Sequence, residues 1–498
     1  MLYESTRGRS RPVSAAEAIK QGIAPDGGLF VPERIPSLGA ADLDRLAGLD
    51  YRQRAAEILG RFLADFDRPE IAGSVAPAYN TDRFGDAAIA PVRTAAAGLH
   101  FLELWHGPTC AFKDMALQVL PHLLKRAMVK TGETAETVIL VATSGDTGKA
   151  ALEGFRDVPG MRIIVFFPAE GVSEMQRLQM VTQEGNNVHV IAVRGNFDDT
   201  QSGVKVIFTD PDVNAILHRH GRRFSSANSI NWGRLVPQIV YYFSAYLDLQ
   251  NRGELKPGQA VNFVVPTGNF GNILAGFYAR CLGLPVHRLI CAANRNNVLT
   301  DFIRTGIYNR NRTFYRTISP SMDILISSNL ERLLYELTDR NAARIDGWMA
   351  ELRETGYYRV DAATHARVAD LFWSDFVDED ETLDEIRATW RDYGYLIDPH
   401  TAVGKAVSDK YRATTGDDTP VIITSTASPF KFNQAVAHAL LGTAEMENRT
   451  EFQLLEALAA TTGLEIPPGL RDLDKKPVRH RTVIDREDIA GAVLKILA

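Results

Sequence analysis

Val138-Ile139-Leu140-Val141-Ala142-Thr143-Ser144-Gly145-Asp146-Thr147-Gly148 decides the architecture of this chain. Its first five residues form a short apolar run rich in β-branched side chains, the signature of a strand buried on both faces. The run ends in hydroxyls and glycine, and a helix-type pattern follows at once. Strand, loop and helix in that order make the repeating unit of a parallel sheet covered by helices.

The unit recurs on either side. Apolar runs stand at Ile163-Ile164-Val165-Phe166-Phe167, Val188-His189-Val190-Ile191-Ala192-Val193, Val261-Asn262-Phe263-Val264-Val265, Leu289-Ile290-Cys291-Ala292 and Val421-Ile422-Ile423. Each precedes a loop and a helical pattern. The rhythm starts near residue 96 and passes residue 420, which fits two parallel-sheet α/β domains with helices on both faces. The expected division is a small N-terminal packing or lid domain over residues 1–95, one α/β domain over 96–235 and a second over 236–498.

In the first of these, Ser14 caps a helix with Glu17 three positions on. Pro25-Asp26-Gly27-Gly28 turns into the strand Leu29-Phe30-Val31, and a helix is expected near residues 51–66. Between about 323 and 395 the strand runs stop, which predicts a helical insertion. There Leu330–Leu337 and residues 345–352 read as amphipathic, and residues 364–389 read as helical. The acidic run Asp378-Glu379-Asp380-Glu381 reads as a solvated face. Asp398 and Pro399 suit the cap and first position of a further helix.

Composition bounds the function. The chain has 498 residues, 45% of them hydrophobic and 23% charged, as in soluble globular proteins of two or three domains. A formal charge of −6, with no Lys/Arg block, argues against nucleic-acid binding. The N-terminus lacks a signal-peptide pattern, and no run approaches the ~18 apolar residues of a membrane span. Cys110, Cys281 and Cys291 have no metal or CxxC spacing, so no metal site is expected and a reducing cytoplasm fits. Cys110 reads as a packing residue.

Leu102-Glu103-Leu104-Trp105-His106-Gly107-Pro108-Thr109-Cys110-Ala111-Phe112-Lys113-Asp114 joins an apolar run to a helix. Gly107-Pro108 enforces a turn, and Met115, Leu117, Val119, Leu120, Leu123 and Leu124 then recur at helical spacing. Lys113 therefore sits on a bend at a helix start. This suits a positioned amine. It also suits a surface lysine beside a capping residue.

Three strand-to-helix loops lie where parallel sheets bind ligands. Thr143-Ser144-Gly145-Asp146-Thr147-Gly148 offers hydroxyls and amides to an anion at a helix N-terminus. Gly148-Lys149 imitates a Walker loop, but Thr143 and Ala150 stand where that motif needs Gly and Ser/Thr. Lys149 thus reads as an exposed helix residue. Pro266-Thr267-Gly268-Asn269-Phe270-Gly271-Asn272 suits a single phosphate, since it lacks the GxGxxG of dinucleotide binders. Thr424-Ser425-Thr426-Ala427-Ser428-Pro429-Phe430-Lys431-Phe432 puts hydroxyls on a bend. Each loop alone fits an ordinary capped turn. A lysine on a bend with an anion loop, a phosphate loop and a hydroxyl loop is the set of parts that a pyridoxal phosphate enzyme needs.

With these residues in place, the chain resembles the threonine synthases of the longer type found in bacteria and fungi, within the tryptophan-synthase-β-like pyridoxal phosphate fold (fold type II). The likeness runs through residues 21–30, 103–114, 144–148 and 268–272. It continues through Ser319-Pro320-Ser321-Met322-Asp323-Ile324-Leu325, Ser327-Ser328-Asn329, Asp398-Pro399-His400-Thr401-Ala402-Val403-Gly404 and Ser425-Thr426-Ala427. The resemblance implies that Lys113 carries the cofactor as a Schiff base and moves the substrate proton. It implies that Gly268, Asn269, Phe270, Gly271 and Asn272 cradle the cofactor phosphate. Thr426 would face the pyridine nitrogen. Ser144, Gly145, Asp146 and Thr147 would receive the substrate carboxylate, with Asn228, Ser229, Asn231 and Arg234 on the other substrate side. Arg234 and Lys431 are candidates to grip the leaving phosphate. Asp146 stands where cysteine synthases and dehydratases commonly have Asn, and Ser428 where many threonine synthases have His.

The implied reaction turns O-phospho-L-homoserine and water into L-threonine and phosphate, by a monomer or homodimer in the cytoplasm without nucleic-acid or membrane partners. A related phospholyase and a catalytically silent binding protein are the rival readings.

Overall fold

The runs named above become parallel strands in a computed structural model that describes residues 1–143, 145–195 and 197–497, less the side chains of 197, 198, 202, 205 and 209. In chain order the strands begin with β1 (Tyr3–Ser5), β2 (Phe30–Pro32), β3 (Val92–Ala96), β4 (Leu99–Glu103) and β5 (Glu136–Ala142). Next come β6 (Met161–Pro168), β7 (Val188–Val193), β8 (Arg222–Ser225), β9 (Val261–Pro266) and β10 (Val286–Ala293). The last are β11 (Ile307–Asn309), β12 (Tyr357–Arg359), β13 (Phe372–Phe376), β14 (Val421–Ser425) and β15 (Val483–Ile484).

Two sheets carry the architecture. One has six strands in the order β13-β10-β9-β14-β4-β3, parallel except for the antiparallel β3–β4 edge. The other has five strands in the order β15-β7-β6-β5-β8, all parallel. The two-residue period of a strand is visible in β5. Val138 and Leu140 face one core cluster, whereas Ile139 and Val141 face the other. The outer cluster is roofed by the helices Phe197–Thr209, Pro211–Arg219 and Ile489–Leu497. Both faces of the sheet are thus covered, as the apolar runs predict. The expected caps also form: Ser14 Oγ accepts from Glu17 N at 3.1 Å, and Asp398 caps the helix Pro399–Thr415.

Sheet membership cuts across the expected division at residue 235. Strand β4 lies in the six-stranded sheet, where Leu99 pairs with Val421, and β15 extends the five-stranded sheet beside β7. Apolar runs mark strands without marking their neighbours in space. A second correction concerns residues 323–395, where strands do not stop. β12 pairs with β11, and β13 forms the edge of the large sheet beside β10. The expected helix over 364–389 is really two helices, Ala362–Leu371 and Glu379–Tyr393, with β13 between them. Ser374 and Asp375 hide that strand in the sequence. Ser374 Oγ donates to Cys291 O at 2.7 Å, so a polar side chain is buried on this edge strand by bonding its neighbour. The acidic run opens the second helix through a capping box between Asp378 and Glu381, with three acids on its positive end.

The N-terminal residues are tied to the helix Leu330–Leu337. Thr6 Oγ1 donates to Glu331 at 2.5 Å, Arg7 pairs with Glu331 at 3.2 Å, and Arg332 Nε donates to Phe30 O at 3.0 Å. No helix among the described residues is long and apolar enough to cross a membrane. The carboxyl ends of β4, β5, β9 and β14 converge on one region.

Candidate active site

Lys113 is aimed by the turn that precedes it. After β4 the chain folds back so that Ala111 bridges Ala427 and Phe112 N donates to Thr426 O at 2.8 Å. The Asp114 carboxylate closes the turn by accepting from Thr109 N at 2.8 Å and Thr109 Oγ1 at 2.9 Å. A Cβ on Gly107 would lie 2.6 Å from Asp114, so this close approach requires glycine. Burial pushes the Asp114 carboxyl up to about 6. It also pushes the Cys110 thiol up to about 12, which makes Cys110 a packing residue. Lys113 itself precedes the short helix Asp114–Leu117, as expected.

The Lys113 amine is buried among polar atoms. Its Nζ lies 3.4 Å from Asp146 Oδ2 and 3.3 Å from Ser321 Oγ. Burial lowers its pKa; Asp146 opposes the shift, and the charges of Lys431 and Arg234 reinforce it. Asp146 accepts from Gln176 Nε2 at 2.9 Å and Ser321 Oγ at 2.9 Å, and pairs with Lys431 at 3.0 Å. Burial alone would push this carboxyl up. Lys431 and Lys113 outweigh burial and hold it well below the usual carboxylate range. Lys431 Nζ also donates to Thr109 O at 2.8 Å, tying the hydroxyl loop to the lysine turn.

Ser321 is anchored from behind. Its backbone N donates to His400 Nε2 at 3.1 Å, so His400 presents its Nδ1–H to Asp398 Oδ2, 2.6 Å away. Lys149 corrects an expectation. Its side chain is only 11% exposed and lies 3.3 Å from Glu153, beside Gln183, because the helix Asp146–Phe155 packs that flank inward.

The loop after β9 leads into a helix N-terminus. Phe270 takes the left-handed conformation with φ +64° and heads the helix Gly271–Leu282. Ser327 Oγ donates to Gly268 O at 2.7 Å, while Asn329 N and Nδ2 both donate to Asn269 O at 3.1 Å. These bonds occupy the Gly268 and Asn269 carbonyls. Tyr241 and Tyr242 hydroxyls lie 2.7 and 2.8 Å from Asn272 Oδ1, which orients the amide. Its Nδ2 is buried with no partner among the described residues. A buried orphan donor at a helix N-terminus is what an anionic ligand would satisfy.

The other expected residues fare unequally. Gly145 has φ +148°, and a Cβ there would lie 2.6 Å from Gln176, so the loop beside Asp146 needs glycine. Thr147 is half-buried on the same helix start, and Thr426 is buried with no recorded side-chain partner among the described residues. Ser144 lies outside the described residues. Arg234 is buried, with its pKa lowered to about 10 by desolvation, and donates to Ala227 O at 2.8 Å. Asn228 is exposed, and Ser229 O accepts from Asn329 at 3.2 Å. Asn231 is held within the protein. Its Oδ1 accepts from Gly233 N at 2.9 Å, and its Nδ2 donates to Ile19 O at 3.0 Å and Ser226 O at 3.3 Å. Both amide protons brace the segment, which leaves one lone pair on Oδ1. Ser428 Oγ accepts from Phe430 N at 3.3 Å.

Ser321, His400, Gln176, Tyr241 and Tyr242 received no role from the sequence. Ser321 and His400 stood inside stretches that carry the resemblance, which could have singled them out. Gln176 sits on a mixed helix and the tyrosines on a largely apolar one, with no local signal.

Three family profiles match the chain in succession: "Threonine synthase N terminus" over residues 2–79, "Pyridoxal-phosphate dependent enzyme" over 90–372 and "Threonine synthase, C-terminal" over 401–493. Threonine synthase from Pseudomonas aeruginosa is 40% identical over 453 residues, 89% of this chain and 91% of that protein. The chain belongs to the threonine synthase family. Human threonine synthase-like 1 is 41% identical over 435 residues, 85% of this chain; the match spans 58% of the human protein's length. The crystal structure of pyridoxal phosphate-bound threonine synthase from Brucella melitensis superposes with a TM-score of 0.88 at 36% identity, covering 100% of this chain and 98% of that one. Pyridoxal phosphate is the cofactor of the family. The residues present fit it: a buried amine at Lys113, and an orphan donor at Asn272 in a frame that heads a helix.

Proposed function

We propose that this protein is a threonine synthase that converts O-phospho-L-homoserine and water into L-threonine and phosphate. The observation that carries the reading is the Lys113 amine, buried 3.4 Å from Asp146 with its pKa lowered. The relatives at 40% identity over nearly the whole chain support it.

Lys113 would hold the cofactor, with residues 268–272 holding its phosphate and Thr426 its ring nitrogen. When bound, the cofactor supplies an electron sink for the charge left on proton removal. Lys113 Nζ, once freed by the substrate amine, would take the α-proton and return protons later in the sequence. Burial and the cations Lys431 and Arg234 keep that amine less basic than an ordinary lysine, as a base working near neutral pH requires. Asp146 would hold its position through Lys431, Gln176 and Ser321, and Gly145 would shape the loop while its amide bonds Thr143 Oγ1 at 3.0 Å, leaving the amide and hydroxyl of Thr147 for the substrate carboxylate. Asn228 and Ser229 would line the far side. Arg234, with guanidinium donors beyond the one used on Ala227, is the better candidate for the leaving phosphate. Lys431 is already committed to Asp146 and Thr109. The units built on the five-stranded and six-stranded sheets would close over the substrate and exclude water. A cytoplasmic monomer or homodimer fits the free cysteines.

Borohydride reduction with peptide mapping tests the lysine: a pyridoxyl adduct on Lys113 is expected, and none on Lys113→Ala. Product analysis tests the reaction. Phosphate with 2-oxobutyrate and ammonia, and no threonine, would instead identify a phospholyase.

A further inference from the structure

We infer that Ser321 is a positioning residue that aims the lone pair of the Lys113 amine. This rests on the reading of Lys113 given above. Three atoms form a closed triangle: Lys113 Nζ to Ser321 Oγ at 3.3 Å, Ser321 Oγ to Asp146 Oδ2 at 2.9 Å, and Lys113 Nζ to Asp146 Oδ2 at 3.4 Å. The direction of each bond follows from chemistry. Asp146 is ionised and can only accept, so the single Ser321 hydroxyl proton points at Oδ2. The Ser321 lone pairs are left facing Nζ. A neutral Lys113 amine has two protons. Ser321 and Asp146 accept one each, and the remaining tetrahedral direction holds the lone pair, turned away from both acceptors.

Asp146 alone would fix one N–H direction and leave two placements of the lone pair, because the second proton could take either remaining tetrahedral position. The hydroxyl supplies the second. It is itself held by backbone. Ser321 N donates to His400 Nε2 at 3.1 Å, and His400 is fixed on the helix cap Asp398 at 2.6 Å. On the opposite side, Ser321 O comes within 2.7 Å of where a Cβ on Gly268 would be, so the same residue abuts the phosphate loop. Ser321 thus sets the amine relative to the frame that holds the cofactor phosphate.

The test uses Ser321→Ala and Ser321→Thr in the full chain. The Ala variant loses one hydroxyl and keeps the backbone bond to His400, and the Thr variant restores the hydroxyl. Stripped of cofactor, each protein is mixed with pyridoxal phosphate, and the rate of Lys113 adduct formation is followed by absorbance, with peptide mapping after reduction. We expect Ser321→Ala to slow capture about tenfold, the value of one oriented hydrogen bond, and Ser321→Thr to recover to within about threefold of the parent. In turnover the Ala variant should lose kcat with KM nearly unchanged. Equal capture rates in parent and Ala variant overturn the inference. So do equal losses in both variants, which would mark the position as packing. Failure of the parent to form any Lys113 adduct would instead remove the reading of Lys113 itself.

Discussion

Lys431 Nζ stands 3.0 Å from Asp146 Oδ1, with the lysine side chain 0% and the aspartate side chain 4% exposed. Removing either partner strands a charge in the interior, which costs about 3–5 kcal/mol. Asp146→Asn should show the fuller cost, because Lys431 then keeps only the Thr109 carbonyl. Lys431→Met should cost less, because Asp146 retains Lys113, Gln176 and Ser321. The double variant should recover about 2 kcal/mol relative to the sum of the singles. Urea unfolding of all four proteins measures this, and additive losses would show that the pair is not coupled.

Asp114 governs a pH dependence of opposite sign to that of Asp146. Its carboxyl is raised to about 6 from an ordinary 3.8, so the folded chain holds a proton that the unfolded chain has released. The stability it contributes is fully present below pH about 4 and is lost as pH rises through 6, a change of about 3 kcal/mol. Asp114→Asn should remove that slope. Unfolding free energies of parent and variant between pH 4 and 7 should therefore diverge, with the parent losing ground as pH rises. A constant offset across the range would contradict it.

Gly268→Ala would put a methyl 2.7 Å from the Ser321 carbonyl, a backbone atom that cannot swing aside. The strain should cost about 1–3 kcal/mol in stability. The displaced segment should also slow cofactor capture by Lys113, which sits on the other side of Ser321. Thermal unfolding and capture kinetics on one preparation check both effects; a loss of stability with normal capture would separate the two.

Asn272→Leu removes the orphan donor and the acceptor that the Tyr241 and Tyr242 hydroxyls share, while Tyr241 keeps Gln238 Oε1 at 3.1 Å and Tyr242 keeps the backbone Asn272 O at 2.8 Å. Cofactor affinity should fall about tenfold, and the apoprotein should lose only about 1 kcal/mol, because neither hydroxyl is stranded. Pyridoxal phosphate titration read by absorbance measures the first effect and denaturation the second. Unchanged affinity would remove Asn272 from the phosphate frame.

The sequence was most legible where local chemistry and fold coincide. The β5, β6, β7, β9, β10 and β14 runs are apolar on both faces because helices cover both faces, and Ser14 and Asp398 announce helix starts through their own hydrogen bonds. Strand β13 was illegible for the converse reason. Its polar Ser374 and Asp375 fit an edge, and nothing local distinguishes that from helix. The site divides in the same way. Lys113 and the Gly268 loop lie on bends whose residue types betray them. Ser321 and Gln176 act through contacts with Asp146, respectively 175 and 30 residues away in the chain, and no local pattern encodes such a pairing. The bonds of Asn231 to Gly233, Ile19 and Ser226 were equally illegible, since Ile19 lies far from it in the chain.

Residues 483–497 supply the β15 edge and part of the roof over Val138, Leu140, Ile164 and Phe166. Roughly 270 residues separate the end of β8 at Ser225 from Leu497. At about 5–20 residues per second of synthesis, the face of the sheet beneath that helix waits tens of seconds for its cover. The last stretch of the chain to be made is thus the one that shuts this face of the sheet from water, so the order of synthesis leaves that apolar surface open until the end.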